Sequence, residues 1–143
     1  MTDYFEVDVI IEDAKYICPN KQWQIVFLGG NNLRRGHEAV DVFISKCQLL
    51  VEAFKKLPNA HLVFMGMIPS PETDEISKGL FNEANYKLKQ LSQPGVSFCN
   101  LNHIFIKNGR IDQTMYSDGI HFNHKGSKNV ATAIKNHLVQ CEL

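Results

Sequence analysis

No apolar run in this chain approaches the ~20 residues that a membrane-spanning helix needs, so the sequence encodes none. Net charge is missing as well: Lys plus Arg number 15 and Asp plus Glu number 15. A neutral chain lacks the overall field that drives binding to nucleic acid or anionic membranes, which leaves only local patches for that role. The opening residues, MTDYFEVDVI, lack the positive charge that precedes the apolar stretch of a signal peptide. Cys18, Cys47, Cys99 and Cys141 form no C-x-x-C pair, which argues against a zinc ribbon or a dithiol redox motif. Idle, scattered thiols suit a reducing compartment, and the expectation is a cytoplasmic protein without cofactor or metal. Repeats, low-complexity tracts and linkers are absent too, so residues 1–143 read as a single domain.

What is present is an alternation of helical and strand patterns. Val7, Ile10, Ile11, Ala14 and Ile17 are spaced for one helix face, ended by Pro19-Asn20. Gln24–Leu28 is a short, nearly continuous apolar run stopped by Gly29-Gly30, which suits a strand buried on both faces. Helical spacing resumes from His37 to Leu57 and breaks at Pro58-Asn59. His61–Met65 reads as a second buried strand, Glu75–Leu91 as a helix and Val96–Cys99 as a third strand. A loop over 102–123 and a helix over 125–139 complete the chain. Strands separated by amphipathic helices predict a three-layer α/β sandwich with a mostly parallel sheet. In such sheets the chemistry gathers at the carboxyl ends of the strands.

Two segments fall there. In Tyr116-Ser-Asp-Gly-Ile-His121-Phe-Asn-His-Lys-Gly126, Asp118 and His121 stand three apart, with Gly119 between them. A carboxylate that close can hold an imidazole in one tautomer and stabilise it once charged. The plain alternative is a loop Asp that accepts backbone hydrogen bonds beside a partly exposed His. The second segment is Leu28-Gly-Gly-Asn-Asn-Leu33, directly after a buried strand. An amide side chain there can donate to a developing oxyanion. A Gly/Asn turn would account for the same residues.

Taken together, the two segments resemble the SGNH hydrolase superfamily of GDSL-like esterases and lipases. That family has a strand running into G-x-N-D, matched here by Gly29-Gly30-Asn31-Asn32, and a D-x-x-H before its last helix, matched by Asp118-Gly-Ile-His121. Leu57-Pro-Asn-Ala60, Gly66-Met-Ile-Pro69 and Val96-Ser-Phe-Cys-Asn100 fall in the family's order between them. The resemblance implies an SGNH or flavodoxin-like fold acting on small esters or acetyl groups. It implies His121 as general base, Asp118 as its orienting acid and Asn31 as the oxyanion-hole amide, with Gly29, Gly30 and Asn32 supporting that loop.

The sequence departs from the family pattern at two points. The family's nucleophile lies in a Gly-Asp-Ser block after its first strand, yet residues 1–28 contain no serine, and none of the seven serines follows a Gly-Asp pair. Asn32 stands where the family usually has Asp. The expectation is therefore the C-terminal two-thirds of such a domain, missing its first strand or strands and inactive alone. Its apolar edge at Gln24–Leu28 is then either covered by a protein partner or, the favoured expectation, left by truncation of a longer gene. Two alternatives stay open. One is a non-catalytic module for RNA or protein, using Lys21, Arg34-Arg35, Lys55-Lys56, Lys107, Arg110, Lys125 and Lys128, with Phe122 as a stacking group. The other is a metal held by Asp118, His121 and His124.

Overall fold

The computed structural model describes residues 22–26 and 33–141. The expected helix over Val7–Ile17, the Gly29-Gly30-Asn31-Asn32 loop, Cys18 and Lys21 lie outside the described residues. The order is β1 (Gln22–Val26), a 3-10 turn at Arg34–Gly36, α1 (Val40–Lys55), β2 (Ala60–Met65), α2 (Glu75–Gln90) and β3 (Val96–Cys99). A short helix α3 (Asn102–Phe105), a two-stranded ladder of β4 (Ile106–Lys107) and β5 (Arg110–Ile111), a 3-10 turn at Gln113–Met115 and α4 (His124–Cys141) follow.

The first three strands are parallel and lie in the order β1-β2-β3, with Val26 opposite Phe64 and Phe64 opposite Phe98. Side chains alternate across a strand, so this register sorts the apolar residues into two sets. Trp23, Ile25, Val63, Met65 and Cys99 pack with Val130, Ile134 and Leu138 of α4. Val26, Leu62, Phe64 and Val96 pack on the other face with Phe43, Cys47 and Val51 of α1 and Phe81, Ala84 and Leu88 of α2. The helical residues recur at three and four positions, one stripe per helix. The result is the α/β three-layer sandwich that the pattern predicts. Leu62, Val63, Phe64 and Met65 are at most 2% exposed, because β2 has a strand on each side and a helix layer on each face. Pro58-Asn59 ends α1 as read, with Asn59 in the left-handed region at φ 58°.

Several boundaries differ from the sequence reading. The first strand begins at Gln22, not Gln24, and the Gln24 side chain is exposed. The stretch 102–123, read as one loop, holds α3, the β4–β5 ladder and a 3-10 turn. Those elements are two to four residues long, too short to show a period. Phe122 is not an open stacking platform: its ring stacks on Phe105 with centroids 4.9 Å apart and lies 5.3 Å from the Tyr116 ring. The last helix begins at His124 and runs to Cys141 rather than covering 125–139.

Two buried polar devices hold the layers together. Asn85 of α2 accepts from the Met67 backbone N–H at 2.7 Å and donates to the Met67 carbonyl at 2.9 Å, clamping the exit of β2. Near the amino ends of the strands, the Ser97 hydroxyl of β3 lies 3.0 Å from His61 Nε2 of β2 and 2.7 Å from His137 Nε2 of α4. One hydroxyl carries one proton and two lone pairs, so it can donate to one of the imidazoles at most and can accept from either.

Burial pushes the His137 pKa below its ordinary value. The unfolded chain therefore takes up the proton first, and the stability contributed by neutral His137 is present above about pH 6.5 and lost as pH falls below it. Thermal melts at pH 7.5 and pH 5.5 should show a drop in Tm that shrinks in His137→Gln. An equal drop in both proteins would refute this role.

Candidate active site

The segment carrying Asp118 and His121 hangs between the exit of β2 and the start of α4, and each end is pinned. At its start, the buried Tyr116 hydroxyl donates to the Pro69 carbonyl at 2.8 Å. At its end, Asn123 caps α4: its Oδ1 accepts from the Gly126 N–H at 2.9 Å, and its Nδ2 donates to the Thr114 carbonyl at 2.7 Å. The helix then sits so close to the preceding loop that a Cβ on Gly126 would lie 2.2 Å from the Met115 carbonyl oxygen. Only glycine permits that approach.

Between the pins, the Asp118 carboxylate organises a tight turn. Its Oδ1 accepts from the backbone N–H of Ile120 at 2.7 Å and of His121 at 2.6 Å. Its Oδ2 lies 3.0 Å from His121 Nδ1. The side-chain bond from His121, then the backbone N–H groups of His121 and Ile120, hold the Asp118 carboxyl well below the usual carboxylate range. An ionised Asp118 accepts Nδ1–H, which leaves Nε2 as the unprotonated, basic nitrogen. Both side chains are about half exposed, and His121 Nε2 has no partner among the described residues. The pair can take a proton from a group presented to Nε2 and stabilise the imidazolium that forms.

The loop after β2 closes over this turn. The Glu72 N–H donates to the Gly119 carbonyl at 3.0 Å, and the Glu72 side chain lies across Gly119, within 2.2 Å of where a Cβ would stand. Ser117, next to the acid in sequence, does not address the imidazole: its hydroxyl donates to the His121 carbonyl at 3.3 Å. His124 is exposed as the first residue of α4. No group of three His, Cys, Asp or Glu side chains is placed to hold a metal ion among the described residues.

Thus Asp118 and His121 are brought together, while Asn31, Gly29, Gly30 and Asn32 lie outside the described residues. Of the basic candidates that are described, Lys107 and Arg110 pair across the β4–β5 ladder and Lys125 and Lys128 share α4. Two others are engaged with acids: Lys55 Nζ lies 3.4 Å from Glu52, and Arg35 Nε lies 3.7 Å from Asp74. Tyr116, Glu72 and Asn85 also hold the segments around the turn. An Asn three residues before Gly126, ahead of a helical pattern, was a readable cap signal. The reach of Tyr116 and Asn85 to distant carbonyls leaves no mark in local sequence.

A protein-family model described as "GDSL-like Lipase/Acylhydrolase family" matches residues 5–128. No curated protein matches the chain. Among solved structures, it is similar to a Streptococcus pneumonia protein provisionally described as a platelet activating factor, with a TM-score of 0.69 at 14% identity over 82% of this chain and 59% of that one. A carbohydrate esterase family 3 protein from Talaromyces cellulolyticus matches with a TM-score of 0.62 at 19% identity, over 94% of this chain and 66% of that one. An acetyl esterase mutant solved with acetate ion gives a TM-score of 0.64 at 18% identity, again over 94% and 66%. At these identities the likeness is one of fold. The chain spans 59–66% of the length of these three.

Gly126→Ala should destabilise the protein by about 1–3 kcal/mol, because a backbone carbonyl must move. In Gly119→Ala only the exposed Glu72 side chain needs to swing aside, so its Tm should fall much less. Equal effects in denaturant melts would contradict the packing described. The Asp118 carboxyl, followed by 13C NMR, should titrate well below the ordinary value of about 3.9. Stability from this group is therefore present above that pH and lost as pH falls. His121→Phe removes the side-chain donor and should move the titration back toward the ordinary value.

Proposed function

As the chain belongs to the GDSL-like lipase/acylhydrolase family, we propose that Asp118 and His121 are the acid–base half of an esterase site for small esters or acetyl groups. The observation that carries this reading is the 3.0 Å contact between His121 Nδ1 and an ionised Asp118, which leaves Nε2 basic and open. His121 would take the proton of a hydroxyl attacking the ester carbonyl and pass it to the leaving alcohol as the carbonyl reforms. Asn31 would donate to the oxyanion, supported by Gly29, Gly30 and Asn32.

The 143 residues contain no Gly-Asp-Ser, and the serine beside the acid points at a carbonyl. We propose that this chain by itself forms no acyl-serine and turns over esters negligibly. Loss of the nucleophile from a triad costs on the order of a millionfold in kcat. Water activated by the Asp118–His121 pair would then be the only route left. The free thiols Cys47, Cys99 and Cys141 favour a cytoplasmic setting. No helix among the described residues is long and apolar enough to cross a membrane. A protein partner laid along β1, at one end of the three strands, fits the same proposal. The reading as an RNA-binding module is less well supported, because the chain carries no net positive charge and Lys55 and Arg35 are engaged with acids.

Intact mass after incubation with a fluorophosphonate, together with p-nitrophenyl acetate turnover, tests this. The expected result is no adduct and a rate only marginally above that of His121→Ala. A stoichiometric adduct that His121→Ala abolishes would show that one of the seven serines acts as nucleophile, and would overturn the inactivity proposed.

A further inference from the structure

A second concavity, of about 570 Å³, lies along β3, α3 and α4, away from the Asp118–His121 turn. Its polar lining is Asn100, His103, Asn129, Thr132, Asn136, His137 and Gln140. Asn129, Asn136 and Gln140 stand at i, i+7 and i+11 of α4, one face of the helix. Phe98, Cys99, Ile104 and Ala133 supply apolar surface beside them, and no Asp, Glu, Lys or Arg takes part. The Asn136, Gln140 and His103 side chains have no hydrogen-bond partner among the described residues. Asn129 is only lightly committed, its Nδ2 lying 3.1 Å from Met115 Sδ, and Asn100 Oδ1 accepts the Asn102 N–H at 3.0 Å. His137 Nε2 is engaged by Ser97 at 2.7 Å.

We propose that this groove binds a neutral oligosaccharide. Each amide offers a donor and an acceptor on one group, as each sugar hydroxyl does. A phosphate or carboxylate ligand would find no cation there to meet its charge. An apolar ligand would strip water from several amides and return no hydrogen bond. The volume falls within the range typical of small-ligand sites. Asp118 and His121 are not part of the lining, so this inference stands apart from the hydrolase reading.

The test is 1H–15N NMR titration of the 143-residue chain with xylohexaose, maltohexaose and chitohexaose. At least one of these should shift the resonances of Asn129, Asn136 and Gln140 with saturable, micromolar-to-millimolar affinity. Asn136→Ala with Gln140→Ala, both exposed, should weaken binding about tenfold or more while leaving Tm unchanged. His121→Ala should bind as the parent does, so loss of the hydrolase reading would leave this result intact. Absence of shifts with all three sugars, shifts confined elsewhere, or a response to an RNA oligomer or an extended peptide alone would overturn the assignment.

Discussion

The close approach of α4 to the carbonyl of Met115 is the constraint from which the candidate site takes its shape. A helix start that comes within reach of a preceding carbonyl must have no side chain at that point, and Gly126 supplies this. Asn123 then closes the gap by capping the helix with one side-chain atom and holding the Thr114 carbonyl with another. Tyr116 ties the other end of the segment to Pro69, so the five residues between Tyr116 and Phe122 have little freedom left. Their turn is completed by one carboxylate oxygen that accepts two backbone N–H groups, which frees the other oxygen for the imidazole. Preorganisation here comes from local backbone geometry, not burial: the acid and base are both half exposed.

Much of this was legible in the sequence, for reasons that can be named. β2 was readable because strands on both sides and helices on both faces demand a continuous apolar run, which His61–Met65 supplies. α1 and α4 were readable because each buries a single stripe at helical spacing. The Asp118–His121 pairing was readable because the carboxylate reaches across only one turn. The elements between β3 and α4 were not, since a two-residue strand has no period to detect. Nor could spacing foretell that Phe122 would lie on Phe105: from the sequence its ring was as available to a ligand as to the core. The Asn85 clamp on Met67 was equally hidden, because a helix-borne amide that serves a backbone 18 residues away looks like any solvated Asn.

The two ends of the sheet carry opposite electrostatic designs. At the Asp118–His121 end, a carboxylate is held charged by donors and faces solvent. At the other, two imidazoles and a hydroxyl are enclosed between β2, β3 and α4, with Cys141 Sγ 3.7 Å from His61 Nε2, and burial disfavours charge on His137. The first arrangement suits proton exchange with an incoming molecule. The second suits cohesion between layers, since the hydrogen bonds join three elements that are distant in sequence.

That enclosed bridge has a direction whenever Ser97 accepts from one ring and donates to the other. The hydroxyl then makes a chain that runs from the imidazole that donates, through Ser97, to the imidazole that accepts. Reversing it requires both rings to exchange tautomers as the hydroxyl proton turns round. The amino end of the sheet therefore holds a row of dipoles that links the central strand to the last helix, without any net charge being moved.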